Sequence, residues 1–553
     1  MVATTATPTD QGYSSSLNVS VWQWRLASLL IALMVAAPIL VVFSAWLSPP
    51  SETWTHLADT LLPVLLRNTL VMLIGVGCGV FILGVGLAWL TTMCQFPGRA
   101  IADWALMLPL AIPAYVLAFV FIGLLDFSGP VQTSLRAILG PITWFPEIRS
   151  SSGVILVMVL GFYPYVYMLA RAAFLSQGRN VLDTGRVLGL SPWQSFVRIS
   201  LPMARPSIAA GVALALMETL ADFGAVSIFN YDTFTTAIYK SWFGFFDLQS
   251  AAQLASLLLL FVLVALTIEQ SLRKRQRFDT TGKLASEQRY TLTSYKAVAA
   301  TAAVGLVIGL AFIVPMAQLL AWVVRHALGD IDARYLGFFS NTLILGAVAA
   351  AITVFAAVLL SYTHRLRPER WMQVTIRFAT LGYALPGSVL AVGIMLSLVW
   401  LDRNLALALN ALFNTSFSQV LTGTLVAIVL AYMVRFMAVA YGPVDTAFDR
   451  IRPSLLQAAR SLGASNWEIL WRVSIPMLRT ATISAGLLVF VEVMKEMPAT
   501  LLLRPFGWDT LATRIFEMTA EGEWERAALP ALTLVLTGLI PVVMLVRRSS
   551  SRR

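Results

Sequence analysis

The segment Asp183–Arg205 reads DTGRVLGLSPWQSFVRISLPMAR, and the segment Gln457–Arg479, which begins 274 residues later, reads QAARSLGASNWEILWRVSIPMLR. Ten of their 23 aligned positions are identical. Residues on both sides continue the match in the same order, with Glu218 equivalent to Glu492. Self-similarity at a fixed spacing is typical of an internal duplication. The sequence therefore predicts two halves that share one fold.

The composition places both halves in a membrane. Of the 553 residues, 58% are hydrophobic and only 12% are charged, and the mean hydropathy is +0.78. Soluble domains carry about 25% charged residues, so these values exclude a soluble enzyme and a disordered chain. Cys78 and Cys94 are the only cysteines, which excludes a disulfide scaffold. The chain is predicted to be an all-α polytopic membrane protein.

Uncharged stretches mark the membrane spans, because a helix rises roughly 1.5 Å per residue and must cross about 30 Å of hydrocarbon. Each half contains six such stretches, an even number. The halves therefore insert in the same direction, as two parallel six-helix repeats related by a pseudo-two-fold axis along the membrane normal, and an inverted-repeat transporter is excluded. The predicted spans are Leu26–Leu47, Asn68–Met93, Trp104–Leu125, Ser152–Ala170, Ser207–Phe229, Leu248–Ile268, Ala297–Val324, Asn341–Thr363, Phe378–Leu401, Gln419–Tyr441, Ala481–Leu503 and Ala527–Val546.

Basic residues indicate the orientation of the chain. With the N-terminus in the cytoplasm, the cytoplasmic segments hold 27 Lys and Arg and the opposite loops hold 10, as the positive-inside rule requires. Both termini are then cytoplasmic. The predicted organisation is a polar tail at 1–24, a first transmembrane half at 25–268 with a cytoplasmic loop at 171–206, a linker at 269–296, and a second transmembrane half at 297–553 with a cytoplasmic loop at 442–480. The linker contains a basic run typical of contact with anionic lipid, namely Arg273, Lys274, Arg275 and Arg277.

The repeated loop has the pattern of two short helices joined at a tight turn. Gly189 and Gly463 allow the positive φ that ends a helix, and Pro202 and Pro476 are predicted to end the second helix ahead of the next span. Such a loop lies at the membrane surface. Its presence in both halves favours two equivalent docking sites for a symmetric partner. The alternative is an interfacial helix that its tryptophan merely anchors.

This loop resembles the EAA loop of binding-protein-dependent ABC importer permeases in its spacing Gly–x9–Ile/Val–x–Leu/Ile–Pro. In that family the loop forms a coupling helix that fits a groove on the ATPase subunit. The start of the motif departs from the family, because Asp-Thr-Gly at 183–185 and Gln-Ala-Ala at 457–459 replace Glu-Ala-Ala. The residues assigned to ATPase coupling are Asp183, Gly189, Trp193, Pro202, Gln457, Gly463, Trp467 and Pro476.

Longer strings narrow the resemblance to the fused, twelve-span inner-membrane permeases of ferric-iron importers. They are METLADFGAVSI at Met217–Ile228, DTFTTAIY at Asp232–Tyr239, AAQLA at Ala251–Ala255, EVMKEMPATLLLRP at Glu492–Pro505 and DTLAT at Asp509–Thr513. The resemblance implies a type I ABC importer transmembrane fold, Fe(3+) as cargo, two copies of a cytoplasmic ABC ATPase, and a periplasmic or lipid-anchored substrate-binding protein. Related permeases for thiamine or phosphonate share the architecture and are alternatives.

Charged side chains lie within two predicted spans. Glu218 and Asp222 are four residues apart and share a helix face, and Glu492 and Glu496 repeat the spacing with Lys495 between them. Ionised groups at membrane depth are costly and usually face a cavity or a partner. One hypothesis is that they line the translocation pathway or its gate, where the four acids contact Fe(3+) transiently, since hard cations prefer oxygen ligands. The alternatives are an ion-pair latch between Lys495 and either glutamate, and acids that are neutral when buried.

Three further features of the predicted spans are an arginine and two pairs of glycines. Arg435, in the tenth span, is predicted to snorkel toward the cytoplasmic end, with no function assigned to it. The pairs Gly75/Gly79 and Gly305/Gly309 match the small-xxx-small pattern and are interpreted as helix packing.

The sequence lacks motifs for ATP hydrolysis and for a zinc catalytic site. Gly282-Lys283 is followed by Leu284 and lacks the earlier glycine of a P-loop, and the three histidines are scattered. The chain is therefore predicted to bind no cofactor, with ATP and magnesium on a partner subunit, and to contact membrane lipid but no nucleic acid. The main rival function is an ion-coupled secondary transporter driven through the buried acids. A membrane-bound enzyme is a second rival without a recognisable catalytic constellation.

Overall fold

The structure is a computed structural model that describes residues 11–140, 143–273, 289–366, 369–413 and 419–550. The first ten residues of the predicted tail and the centre of the predicted linker, residues 274–288, lie outside the described part. The lipid-contacting basic run of the linker falls there as well, apart from the backbone of Arg273, so that prediction stays a prediction.

Helices make up nearly all of the described chain, which confirms the all-α prediction. The first half contains α1 (Gln11–Ser44), α2 (Glu52–Thr60), α3 (Leu62–Met93), α4 (Arg99–Ala105), α5 (Ala114–Leu125), α6 (Pro130–Leu139), α7 (Ser151–Val187), α8 (Pro192–Ser195), α9 (Leu201–Ala221), α10 (Gly224–Ile228), α11 (Phe234–Tyr239) and α12 (Leu248–Arg273). The second half contains α13 (Tyr295–Ile308), α14 (Val314–Trp322), α15 (Ala333–Leu366), α16 (Arg370–Thr380), α17 (Gly387–Phe413), α18 (Leu425–Phe448), α19 (Pro453–Ser461), α20 (Asn466–Glu468), α21 (Ile475–Lys495), α22 (Pro498–Leu503), α23 (Leu511–Ala520) and α24 (Trp524–Ser550). Shorter turns are the 3-10 segments Leu108–Ala111, Leu328–Asp330 and Leu381–Ala384 and the π segments Phe196–Ser200, Lys240–Gly244, Gly309–Ile313, Val323–Ala327 and Ile469–Ser474.

One short β-pair accompanies the helices. β1 (Cys94–Gln95) directly follows α3 and pairs in parallel with β2 (Tyr290–Thr291), which lies near the end of the predicted linker. The Arg289 guanidinium adds a hydrogen bond to the Thr92 carbonyl at 3.1 Å. The pair therefore ties the end of the linker, just ahead of α13, to the end of α3.

The predicted spans fall on long apolar helices. Within the described residues, eleven helical segments are long and apolar enough to cross a membrane, and each overlaps one of the first eleven predicted spans. Their bounds differ, most clearly for Ala114–Leu139 against the predicted Trp104–Leu125. The twelfth predicted span falls on α24. The chain is therefore a polytopic membrane protein built from two repeats.

Four spans contain breaks that the sequence analysis did not foresee. The third, fifth, ninth and eleventh spans are predicted as continuous helices, and this prediction is wrong. The third and ninth break before Pro113 and Pro386, because proline disfavours helical backbone at the preceding residue. The fifth and eleventh break at Asp222 and Glu496. Irregular backbone at membrane depth is tolerated where it is buried in protein or lines a cavity, so the breaks point to the interior.

The two sequence halves are not separate packing units. α1 and α12 of the first half share a hydrophobic core with α15, α17 and α18 of the second half. Conversely, α14 and α24 share a core with α3, α5 and α7. An ion pair between the Arg25 guanidinium and the Glu369 carboxylate (2.5 Å) joins the middle of α1 to the start of α16. Separation of the halves would expose both cores, so the two halves are interlocked.

Glycines set the distance between α3 and α7. Cβ atoms built at Gly75 and Gly79 would overlap the side chains of Ile155 and Val159, so the helix-packing interpretation is confirmed for this pair. It is wrong for Gly305/Gly309 within the described residues, because no atom lies within 4 Å of a Cβ built at either position.

Gly79→Leu is expected to destabilise the protein, because overpacking a close helix contact costs about 1–3 kcal/mol. Gly305→Leu introduces the same side chain into open space and serves as the matched control. Thermal unfolding of the purified variants measures both effects. Equal melting temperatures for the two variants would contradict the close α3–α7 contact.

Candidate functional site

The four helix breaks meet at one cavity between the two halves, with a volume of about 140 Å³. It lies against the ends of α9 and α21 and the starts of α5, α10 and α22. Its walls consist of Leu110, Ile112, Pro113, Ala114, Tyr115, Gly161, Phe162, Tyr165, Glu218, Ala221, Asp222, Phe223, Gly224, Tyr383, Arg435, Phe436, Glu492, Lys495, Glu496, Met497 and Pro498. The structure thus brings together all five charged residues that the sequence assigns to the pathway or gate.

The four acids have two different environments. Asp222 accepts hydrogen bonds from the backbone N–H groups of Ala225 (2.9 Å) and Val226 (3.1 Å), and so closes the first turn of α10. Glu496 likewise accepts from the backbone N–H of Ala499 (3.1 Å), in the first turn of α22. The second acid of each repeated pair therefore stabilises a helix start. The first acid of each pair, at positions 218 and 492, is placed in the last turns of α9 and α21, without such a helix-start bond.

Arg435 is the functional-site residue that the sequence analysis missed. Its guanidinium pairs with the Glu496 carboxylate (Nε to Oε2, 2.9 Å) and donates to the Leu385 carbonyl (2.7 Å), which the break before Pro386 leaves without a helical partner. The two charged side chains are only 12% and 6% exposed. The predicted snorkelling is therefore wrong.

The error on Arg435 has a geometric cause. The tenth span is predicted at Gln419–Tyr441, which places Arg435 near its cytoplasmic end. α18 in fact begins at Leu425 and ends at Phe448, so Arg435 lies near its middle. The 274-residue offset pairs Arg435 with Gly161 in the first half. Arg435 is thus, like Lys495 with its equivalent Ala221, a cation that only the second half contributes.

Two contacts cross between the halves at the cavity. The Tyr383 hydroxyl of the second half donates to the Glu218 carboxylate of the first half at 3.5 Å. The Lys495 ammonium donates to the Leu110 carbonyl at 3.2 Å. The predicted latch between Lys495 and either Glu492 or Glu496 is not formed among the described residues. Glu496 pairs with Arg435, and in the described chain no ion pair joins Lys495 to either glutamate. The buried ion pair at this site joins α18 to the end of α21.

The repeated loops have matching backbones in both halves. Gly189 and Gly463 adopt φ of +66° and +85°, the left-handed region that glycine enters most easily. Serines at 191 and 465 cap the helices that follow, with Gln194 and Glu468 completing the two capping boxes. The turn geometry predicted from the sequence is present twice.

The prolines of the loops do not end a helix, contrary to the prediction. The chain runs from α8 through the π segment Phe196–Ser200 into α9 without a break, and Pro202 lies in the first turn of α9. Pro476 lies equivalently in α21. The π turns shift the hydrogen-bond register next to each proline, where its missing N–H is tolerated. Each loop is therefore connected by continuous helix to a carboxylate pair at the cavity.

The side chains assigned to coupling lie at the surface where described. Trp193 is 69% exposed and Trp467 is 52% exposed, and Gln457 is also exposed on α19. The Asp183 side chain lies outside the described residues, although its backbone belongs to α7. Trp467 also contacts Trp24 of α1, with ring centroids 5.7 Å apart. The two loops thus present equivalent tryptophans in unequal surroundings.

The charged residues of the cavity do not form a resident metal centre. In the described part of the chain, no three His, Cys, Asp or Glu side chains are grouped closely enough to hold a metal ion. The Tyr115 hydroxyl lines the cavity and has no hydrogen-bond partner among the described residues. The cavity therefore presents separated oxygen and nitrogen atoms, without a clustered metal site among the described residues.

Comparison with known proteins gives a consistent result. The family described as "Binding-protein-dependent transport system inner membrane component" matches residues 80–278 and 349–553. The Fe(3+)-transport system permease protein FbpB 2 of Haemophilus influenzae is 29% identical over 87% of this chain and 89% of its own length. The ferric transport system permease protein FbpB of Actinobacillus pleuropneumoniae is 24% identical over 83% and 67%. The molybdate/tungstate transport system permease protein WtpB of Thermococcus kodakarensis is 28% identical over 37% and 76%.

Proposed function

Because the chain belongs to the family of binding-protein-dependent transport system inner membrane components, we propose that it forms the translocation pathway of an ATP-driven importer for Fe(3+). The observation that carries this proposal is the cavity at the four helix breaks. Both halves contribute a carboxylate pair to it, at equivalent positions of α9 and α21. Ferric iron is a hard cation that prefers oxygen ligands. The two similar ferric permeases support the same cargo.

The proposed cycle uses the continuity between loop and cavity. Two copies of a cytoplasmic ABC ATPase bind the loops around Trp193 and Trp467, and ATP with magnesium resides on those partners. A periplasmic or lipid-anchored binding protein delivers the cargo to the opposite face. Movement of the ATPases is transmitted along α9 and α21 to the carboxylates, and the lobes rock between inward- and outward-facing states. Both termini are cytoplasmic in this arrangement.

Within this cycle, Glu218 and Glu492 contact the cargo transiently. Asp222 and Glu496 stabilise the helix starts that follow the breaks. A site for transport must bind weakly enough to release. Two carboxylates that line one cavity, one from each half, satisfy this requirement. Tyr383 and Lys495 join the second half to the first at the cavity, through their contacts to Glu218 and the Leu110 carbonyl.

The double variant Glu218→Gln/Glu492→Gln is expected to lower the initial rate of iron uptake at least about tenfold, equivalent to ~1.4 kcal/mol in the barrier. The amide keeps the shape of each side chain and removes its charge. Radioactive iron uptake into cells, normalised to the amount of membrane-inserted protein, measures the effect. Glu521→Gln is the matched control, because Glu521 is exposed and does not line the cavity. Full uptake by the double variant at normal protein levels would remove the pathway role.

An oxyanion importer is the second candidate, because Arg435 and Lys495 line the same cavity and one relative is a molybdate/tungstate permease. A competition assay of uptake distinguishes the two candidate cargoes. Excess molybdate inhibits uptake by an oxyanion importer, whereas excess Fe(3+) inhibits the proposed iron importer. An ion-coupled secondary transporter, in contrast, continues uptake after the ATPase is removed.

A further inference from the structure

A long apolar groove lies on the outside of the first half, with a volume of about 780 Å³. α3, α9 and α12 form its walls, with contributions such as Phe81, Leu216 and Val264. Glu218 follows Leu216 by two residues and therefore points to the opposite side of α9. The groove is thus separated from the central cavity by the body of α9, and exposed side chains such as Phe81 (40%) and Val264 (58%) place it at the surface.

One charged residue distinguishes this groove from an ordinary apolar surface. Arg205 is the only charged side chain among the fifteen that line it. It lies at the end where α9 begins and is exposed. Among the residues that the structure describes, no carboxylate lies within ion-pairing distance of its guanidinium. A guanidinium suits a phosphate oxygen, because its planar donors match the geometry of the anion.

The groove is longer than one leaflet of a bilayer is deep. Its lining on α9 extends from Leu201 to Leu220, and nineteen residues of helix rise by roughly 28 Å, close to the full hydrocarbon thickness of about 30 Å. A lipid of the cytoplasmic leaflet therefore fills the half of the groove nearest Arg205. In the proposed orientation, Arg205 lies at the cytoplasmic interface, where anionic headgroups attract basic side chains. The apolar walls then lie at the depth of the acyl chains.

We propose that this groove binds an anionic phospholipid of the cytoplasmic leaflet, with the headgroup phosphate on Arg205 and an acyl chain between α3, α9 and α12. The proposal is independent of the cargo. Leu201 and Pro202 belong both to the groove and to the helix that leaves the first coupling loop. The bound lipid therefore contacts the element that is proposed to transmit ATPase movement.

The test uses the full-length chain in nanodiscs made from mixed phosphatidylglycerol and phosphatidylcholine, with retained lipid counted by native mass spectrometry. Arg205→Ala is expected to lower phosphatidylglycerol occupancy about fivefold, from the loss of one cation near the headgroups. Arg205→Lys is expected to restore most of it. The matched control is Arg479→Ala, because Arg479 is the repeat equivalent, is also exposed, and does not line this groove.

A second variant tests the apolar part of the site. Ala209→Phe fills the groove, and it is expected to exclude the retained lipid while Arg205 is intact. Equal phosphatidylglycerol occupancy in wild type and Arg205→Ala would overturn the proposal, as would an equal loss in Arg479→Ala. Equal retention of phosphatidylcholine by the wild type would show annular lipid without headgroup recognition. Protection of the groove by a co-purified membrane protein would show a different occupant and would also overturn it.

Discussion

Arg435→Met is expected to lower the stability of the protein by about 3–5 kcal/mol, the usual cost of removing one partner from a buried ion pair. Glu496 is 6% exposed and takes its cation from α18. The variant therefore leaves a carboxylate unpaired at membrane depth and the Leu385 carbonyl without its donor. Thermal unfolding and iron uptake should both show a large loss. Arg377→Met, which changes an exposed arginine of α16, should leave both unchanged.

The double variant Arg435→Met/Glu496→Gln separates a latch from a pathway residue. Glutamine keeps an oxygen that accepts from the Ala499 N–H and removes the uncompensated charge, so stability should recover substantially. If the ion pair only fixes α18 against α21, uptake recovers together with stability. If Arg435 also acts on the cargo, uptake stays low in a stable protein. A double variant as unstable as Arg435→Met would contradict the assignment of the pair.

Because of the internal repeat, most residues of the candidate site could be predicted from the sequence. Glu218 and Glu492 are assigned to a shared site because equivalent residues lie at equal depth under a pseudo-two-fold axis. The positive φ of Gly189 and Gly463 follows from local chemistry, since a tight turn after a helix favours glycine. These features depend on spacing along the chain, and the duplication provides two independent copies of each.

The features that were not predicted depend on tertiary interactions, which the spacing of residues along the chain does not reveal. Hydropathy treats a helix with a central break as one continuous span, so the breaks at Asp222 and Glu496 are invisible to it. The predicted bounds of the tenth span are also wrong by a few residues, so Arg435 is predicted near the membrane surface although it lies at the cavity. The exchange of outer helices between the halves depends on packing across more than 200 residues, for example between Trp24 and Tyr362. Nothing in the local pattern selects that arrangement over two separate bundles.

Removal of both loop tryptophans, in Trp193→Ala/Trp467→Ala, is expected to abolish association with the ATPase. An exposed tryptophan at the centre of an interface typically contributes about 2 kcal/mol or more when truncated, which corresponds to roughly 30-fold in affinity. When two linked ATPase subunits bind both loops, the two losses of affinity multiply. Binding at one loop raises the effective concentration of ATPase at the other loop. Co-purification with the ATPase and ATPase activity of the complex measure the effect. Trp144→Ala, which removes a tryptophan of 68% exposure predicted on the opposite face, is the control.

The single variants should differ, and this difference identifies the interface. Trp193 is 69% exposed, and its one ring contact among the described residues is with the neighbouring Phe196 (5.3 Å), so Trp193→Ala should weaken docking with little change in melting temperature. Trp467 also packs on Trp24 and Trp471, so Trp467→Ala should lower both docking and stability. Trp24→Ala removes the same packing contact without changing a loop residue, so it should lower stability as Trp467→Ala does. If Trp24→Ala and Trp467→Ala weaken ATPase association equally, the tryptophan at 467 supports the fold and the partner binds elsewhere on the loop.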